Sequence, residues 1–135
     1  MERVVVDTDV VSFYAKGDSR FASYAPELDG KQLVMSFMSL SELLLWQKLR
    51  NWGQARRDRF MQEIEKQYVI YPVDRRLCDC WARLKAESSA KGRVLETADA
   101  WIAATAVQLG IPLVTHNARD YQFLSNLSVI SFAPQ

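Results

Sequence analysis

The run Thr97-Ala98-Asp99-Ala100-Trp101-Ile102-Ala103-Ala104-Thr105-Ala106 sets the tightest limit on the fold, because it puts one carboxylate at the head of a helical stretch that is otherwise small and apolar. Ala100, Ile102, Ala103, Ala106, Val107 and Leu109 leave almost no polar stripe, so this helix is expected to be buried, with its alanines admitting a neighbouring backbone. An unpaired charge in such a place is costly. A carboxylate that stays ionised there has a metal, a cation or several donors beside it. Asp99 also has a plainer reading, as a residue that caps orphan N–H groups at the positive end of the helix dipole.

The chain that leads to this helix alternates short apolar runs with longer amphipathic ones. Residues 3–7 form a continuous apolar run ending in a carboxylate, which suits a strand buried on both faces of a parallel sheet. Further strands are predicted at 32–35, 68–71, 113–115 and 129–132. Helices are predicted at 9–16 with Thr8 as cap, at 20–28, 39–52, 54–66, 74–90 and 97–109, with a helical turn at 121–124. This order implies an α/β architecture with a mainly parallel sheet, and 135 residues at 49% hydrophobic composition suit one domain over 1–135.

Composition excludes several classes. The start has too short an apolar run for a signal peptide and no stretch approaches a spanning helix, so no membrane partner and a cytoplasmic location are expected. One His and two Cys, at 78 and 80, do not make a structural zinc pattern; the cysteines point to different helix faces and read as packing residues. Net charge is +1, yet setting four of the 16 acids aside leaves 17 basic residues against 12 acidic. An acidic pocket in a mildly basic surface suits an enzyme that binds nucleic acid through a cation.

Four acids have matching addresses. Asp7 ends the first strand, Glu42 lies in the first turn of the helix predicted after the second, Asp99 heads the buried helix, and Asp120 follows the fourth strand. Ligands of open parallel sheets bind at the carboxyl ends of the strands, where strand order reverses. Carboxylates converging there repel one another without cations between them, and hard oxygen donors select Mg²⁺ or Mn²⁺. Such a centre polarises a phosphodiester and lowers the pKa of a bound water, so metal-assisted phosphodiester hydrolysis is the expected chemistry. Glu42 also fits a capping box with Ser39, and Asp120 could cap the turn after it. Thr115 and Asn117 are placed to orient a ligand or water, and Lys91 and Arg93 to touch substrate phosphate. Leu43, Leu44, Leu45, Trp46 and Leu49 make the Glu42 helix unusually apolar, which suggests a partner groove or a dimer seam.

With these residues assembled, Val-Val-Val-Asp7-Thr-Asp, Ser39-Leu-Ser-Glu42-Leu, Asp99-Ala-Trp-Ile-Ala-Ala and Val-Thr115-His-Asn117-Ala-Arg-Asp120-Tyr resemble the PIN domain, in particular VapC-type toxins of toxin–antitoxin pairs. The resemblance implies a three-layer α/β/α sandwich, Mg²⁺- or Mn²⁺-dependent ribonuclease activity and a cognate antitoxin, with homodimers common. It carries the family's acidic positions onto Asp7, Glu42, Asp99 and Asp120, and its polar strand-end position onto Thr115. Two positions depart from the pattern: Asp9 stands where Asn is frequent, and Tyr121 where Phe is frequent. Glu96 either joins the site or is a solvated loop acid. Two rival readings stay open at this point. Asp7-Thr8-Asp9-Val10-Val11 also resembles the motif of haloacid-dehalogenase-type phosphatases, with Asp7 as nucleophile and Asp9 as general acid. A PIN-like module that binds RNA or a partner without cutting is the other.

Overall fold

Val4 and Val6 point to one face of a sheet and Val5 to the other, and all three are at most 2% exposed, so the first strand needs cover on both sides. The computed structural model, which describes residues 2–134, supplies it. The elements in order are β1 (Arg3–Val6), α1 (Thr8–Lys16), α2 (Phe21–Leu28), β2 (Gln32–Ser36), α3 (Phe37–Leu49), α4 (Gln54–Gln67), β3 (Tyr68–Tyr71), α5 (Arg75–Ala90), α6 (Thr97–Leu109), β4 (Leu113–Val114), a 3₁₀ turn (Ala118–Asp120) and β5 (Val129–Ile130). The strands form one all-parallel sheet in the order β3-β2-β1-β4-β5. Val5 pairs with Val34 on one side and Leu113 on the other.

Side-chain alternation assigns the helices to layers. Val4, Val6, Met35 and Val114 pack with Val10, Val11, Phe13, Tyr24, Leu43, Phe60 and Ile64, so α1 to α4 cover one face. Val5, Val34 and Leu113 pack with Leu77, Cys80, Leu84, Ala100, Ile102, Ala103 and Ala104, so α5 and α6 cover the other. This is the expected α/β/α sandwich. Helix α6 is buried as predicted, and its alanines meet α5 and the sheet. Gly110 closes it at φ 67°, a left-handed cap that a side chain would strain, and turns the chain into β4. Cys80 is buried as a packing residue, whereas Cys78 is exposed, contrary to expectation for that one.

Because the chain lays β1, β2 and β3 outward in one direction and then returns to place β4 on the free side of β1, strand order reverses between β1 and β4. The residues leaving those two strands, Asp7 and Thr115, are therefore neighbours at the switch point. Among the described residues no helix is long and apolar enough to cross a membrane.

Candidate metal centre

Asp7 stands where β1 passes into α1, with extended backbone (φ −70°, ψ 155°). Its Oδ1 accepts from Thr8 N at 2.7 Å, so Asp7 itself, not Thr8, is the α1 N-cap. Its Oδ2 accepts from Thr115 Oγ1 at 2.8 Å and from the Tyr121 hydroxyl at 3.1 Å. Only 5% of the residue is exposed. Burial, together with the charges of Asp9 and Asp99, outweighs these donors and pushes the carboxyl pKa up to about 8.

Asp99 lies in the first turn of α6 but does not cap it; Glu96 occupies the N-cap position, without a side-chain cap bond. Its Oδ1 instead accepts from the same Tyr121 hydroxyl, at 3.1 Å. Burial raises the Asp99 pKa to about 6 against the opposing Tyr121 hydrogen bond, and the charges of Asp120, Glu42 and Glu96 add to the rise. Tyr121 is fully buried, and burial plus the two carboxylates pushes its own ionisation well above the usual phenol range. Its hydroxyl has one hydrogen to offer and two carboxylates to serve.

Glu42 reaches the site in a different way from that expected. Strand β2 runs straight into α3, and Ser36, three residues before Ser39, takes the cap by accepting from Met38 N at 3.0 Å. Glu42 is thus inside the helix, and the capping-box reading is corrected. Its Oε1 lies 2.7 Å from Thr8 Oγ1, which is also 2.9 Å from the buried Ser39 Oγ, so the hydroxyl donates to the carboxylate and accepts from the serine. Asp120 is exposed and sits inside the 3₁₀ turn, which comes at Ala118–Asp120 rather than at 121–124, so it does not cap the following residues.

Thr115 donates to Asp7 and accepts from Asn117 N at 3.0 Å, which fixes its hydroxyl direction. The Asn117 side-chain amide is bonded to Asp9: Nδ2 donates to Asp9 Oδ2 at 2.9 Å, and His116 N donates to the same oxygen at 3.0 Å. With Val10 N on Oδ1 at 2.7 Å, Asp9 holds three donors and ties the loop after β4 to α1. Burial raises its pKa. A carboxylate engaged in this way is not poised as the general acid of an aspartyl-phosphatase.

Lys91 and Arg93 are exposed and have partners within the chain. The Lys91 ammonium is bonded to Glu87 Oε2 at 2.7 Å and to the Phe123 carbonyl at 2.6 Å, and the Arg93 guanidinium stacks over the Phe123 ring at 5.3 Å. Both fasten the segment after Tyr121 to the end of α5. Sequence reasoning also missed the Thr8 and Tyr121 hydroxyls; the one available signal was a phenol where an apolar ring would fill the same space.

The donor set consists of oxygen alone, and burial together with neighbouring carboxylates raises the pKa of the buried Asp7 and the half-buried Asp99. That is the chemistry of a hard divalent ion site. Among the described residues no three His, Cys, Asp or Glu side chains already stand at mutual ligand spacing.

An open parallel sheet with acidic side chains gathered at its switch point defines a class of α/β proteins, and the comparison with known families narrows it. The sequence model of the PIN domain matches residues 4–125, and the chain belongs to that family. It is similar to Ribonuclease VapC1 of Haemophilus influenzae (strain R2866), 25% identical over 129 residues that cover 91% of this chain and 92% of the relative. In structure it resembles a chain of VapBC2 from Rickettsia felis bound to a DNA fragment from their promoter, at TM-score 0.82, 17% identity and coverage of 96% and 98%. VapBC-1 from nontypeable Haemophilus influenzae gives TM-score 0.76 at 22% identity, with coverage of 96% and 97%.

Proposed function

We propose that this protein is a divalent-metal-dependent endoribonuclease, the toxin of a type II toxin–antitoxin pair. The observation that carries the reading is that Asp7 and Asp99, 92 positions apart in the chain, meet on one buried hydroxyl at the sheet's switch point, with Glu42 and Asp120 flanking. The ribonuclease name of its relatives, along almost the whole chain, supports the same reading.

In this reading Asp7, Glu42, Asp99 and Asp120 hold Mg²⁺ or Mn²⁺. When bound, the ion polarises the phosphodiester and makes a nucleophile of water near neutral pH. The protein's own contribution is positional. Thr115 and Tyr121 orient the Asp7 oxygen that faces Asp99, Thr8 directs Glu42, and Asn117 with Asp9 keeps the Thr115 loop in place. Incubated with RNA and Mn²⁺, the chain is expected to cut internally, to stop in chelator, and to lose activity about a hundredfold or more on Asp99→Asn. Unchanged cleavage by that variant would remove the site assignment, and RNA binding without any cleavage would leave the non-cutting module.

The partners follow from surfaces. Leu44, Leu45 and Leu49 leave an apolar strip on α3 that is 37%, 55% and 71% exposed, and structural neighbours include VapBC complexes and a toxin–antitoxin complex from Klebsiella pneumoniae. We assign this strip to a homodimer seam, with the cognate antitoxin as the protein's other partner and the cytoplasm as its place of action. The double variant Leu45→Glu/Leu49→Glu is expected to sediment as a monomer at concentrations where the parent is a dimer. A monomeric parent would sink the dimer assignment and leave the strip to the antitoxin.

A further inference from the structure

Beside Asp120, on the β4–β5 side of the acidic cluster, lies a cavity of about 840 Å³ lined in part by His116, Asn117, Arg119, Asp120, Gln122 and Ser131. That volume falls in the range of small-ligand clefts, roughly 300–1,000 Å³. Its two walls are fastened together. The fully buried Tyr24 hydroxyl meets His116 Nδ1 at 2.5 Å on one wall and accepts from Phe132 N at 3.1 Å on the other. The first wall is also held from behind by Asp9, through His116 N and Asn117 Nδ2. The cleft is therefore shaped before any ligand arrives.

Alanine, valine and proline side chains complete its lining, and two of its polar side chains are uncommitted. Among the described residues the exposed Arg119 makes no ion pair, although it adjoins Asp120, and the Gln122 side-chain carboxamide makes no hydrogen bond, its backbone N–H alone being taken, by the Ala118 carbonyl. A guanidinium fork suits a phosphate oxygen pair, and a primary amide presents a donor and an acceptor that can read a base edge. The half-buried His116, packed edgewise with Phe13 and Tyr24, also lines it.

We infer that this cleft is a nucleotide subsite, holding the unstacked ribonucleotide next to the bond that is cut. Arg119 takes that nucleotide's phosphate and Gln122 contacts its base. The inference rests on the reading of the acidic cluster as a phosphodiesterase centre, since it is the shared Asp120 that orders the cleft along the same strand of RNA. Phosphate contact positions the chain, and base contact selects the sequence. Arg119 therefore sets affinity for any RNA, and Gln122 sets which nucleotide is preferred beside the cut.

The test uses the full chain in two measurements. In chelator, the four ribonucleoside 5′-monophosphates are titrated while backbone amide resonances are followed; shifts are expected at 116–122 and 131–134, and Arg119→Ala is expected to abolish them. With Mn²⁺ and a short oligoribonucleotide, Arg119→Ala is expected to raise KM about tenfold with kcat within about twofold, and Gln122→Ala to change the nucleotide preference in the mapped ends. Ser131→Trp, which puts a bulky ring into the cleft and leaves both polar residues in the sequence, is expected to reproduce the KM effect. Cleavage by all three variants with parental KM and end preference, and no amide shifts at 116–122, would overturn the subsite. If the parent cuts no RNA while nucleotides still shift those amides, the cleft stands and the phosphodiesterase reading fails instead. Displacement of the nucleotides by a peptide segment, with no effect on cleavage, would transfer the cleft to a protein partner and also overturn the inference.

Discussion

Asp7→Asn is expected to do two opposite things: abolish cleavage, by about a hundredfold or more, and make the metal-free protein more heat-resistant at alkaline pH. The asymmetry comes from burial. Asp7 is 5% exposed, and its carboxyl is pushed up to about 8 by desolvation and by Asp9 and Asp99. Above that pH, without a cation, the fold holds a charge it would rather shed. Asparagine has the same shape and no charge. Its oxygen can still accept from Thr8 N, and its amide can donate to Thr115 Oγ1 and the Tyr121 hydroxyl, both of which can turn to accept. In chelator at pH 8.5 the variant's Tm is expected to rise on the order of 5 °C above the parent's, measured by calorimetry. A residue retained only as a helix cap would behave otherwise, since replacing a sound cap lowers stability. A variant both inactive and less stable would mean that Asp7 serves the fold rather than a cation.

How far these relations could be read from sequence depended on whether the informative partners lay nearby. Asp7 was legible because Val4, Val5 and Val6 form an unbroken apolar run that has to end at the rim of a covered sheet, and a carboxylate there needs company. The buried α6 was legible for the same reason, since small apolar residues on every side leave it no solvent face. Glu42 is expected at the sheet's rim from its place after the second strand, and only its rival reading as a cap fails. Local spacing favoured a capping box at Ser39, but β2 enters α3 without a loop, so the cap moved back to Ser36 and left Ser39 buried against Thr8. Asp9 could not be understood locally at all, because two of its three donors lie more than a hundred residues further on. Lys91 and Arg93 precede α6 and looked available to substrate. Proximity in the chain says nothing of direction, and both turn back to Glu87 and Phe123. Arg119, one residue before Asp120, is the basic group that lines a cleft beside the acids.

Without a divalent ion, the protein is expected to lose stability steadily as pH rises from about 4 to about 8, and to regain it when Mn²⁺ or Mg²⁺ is supplied. Asp7 and Asp99 both have folded pKa values above their ordinary 3.8, at about 8 and about 6. A group that binds its proton more tightly when folded stabilises the fold fully below its unfolded pKa, and that contribution fades as pH rises through the folded one. The loss thus begins near pH 4, deepens as Asp99 ionises near 6, and is complete once Asp7 ionises near 8. The geometry carries the same sign: the two carboxylates meet on one Tyr121 hydroxyl, each at 3.1 Å, so a proton on either relieves their repulsion when no cation is present. A cation replaces that proton, which makes its affinity rise with pH and releases protons on binding. In chelator, Tm is expected to fall on the order of 10 °C between pH 5 and pH 8.5, and saturating Mn²⁺ to remove most of the fall. Asp7→Asn should flatten the chelator profile above pH 6, which assigns the effect to this carboxyl. A parent profile that is flat in chelator, or a fall that Mn²⁺ leaves untouched, would mean that the acids at the switch point are not balanced by a metal.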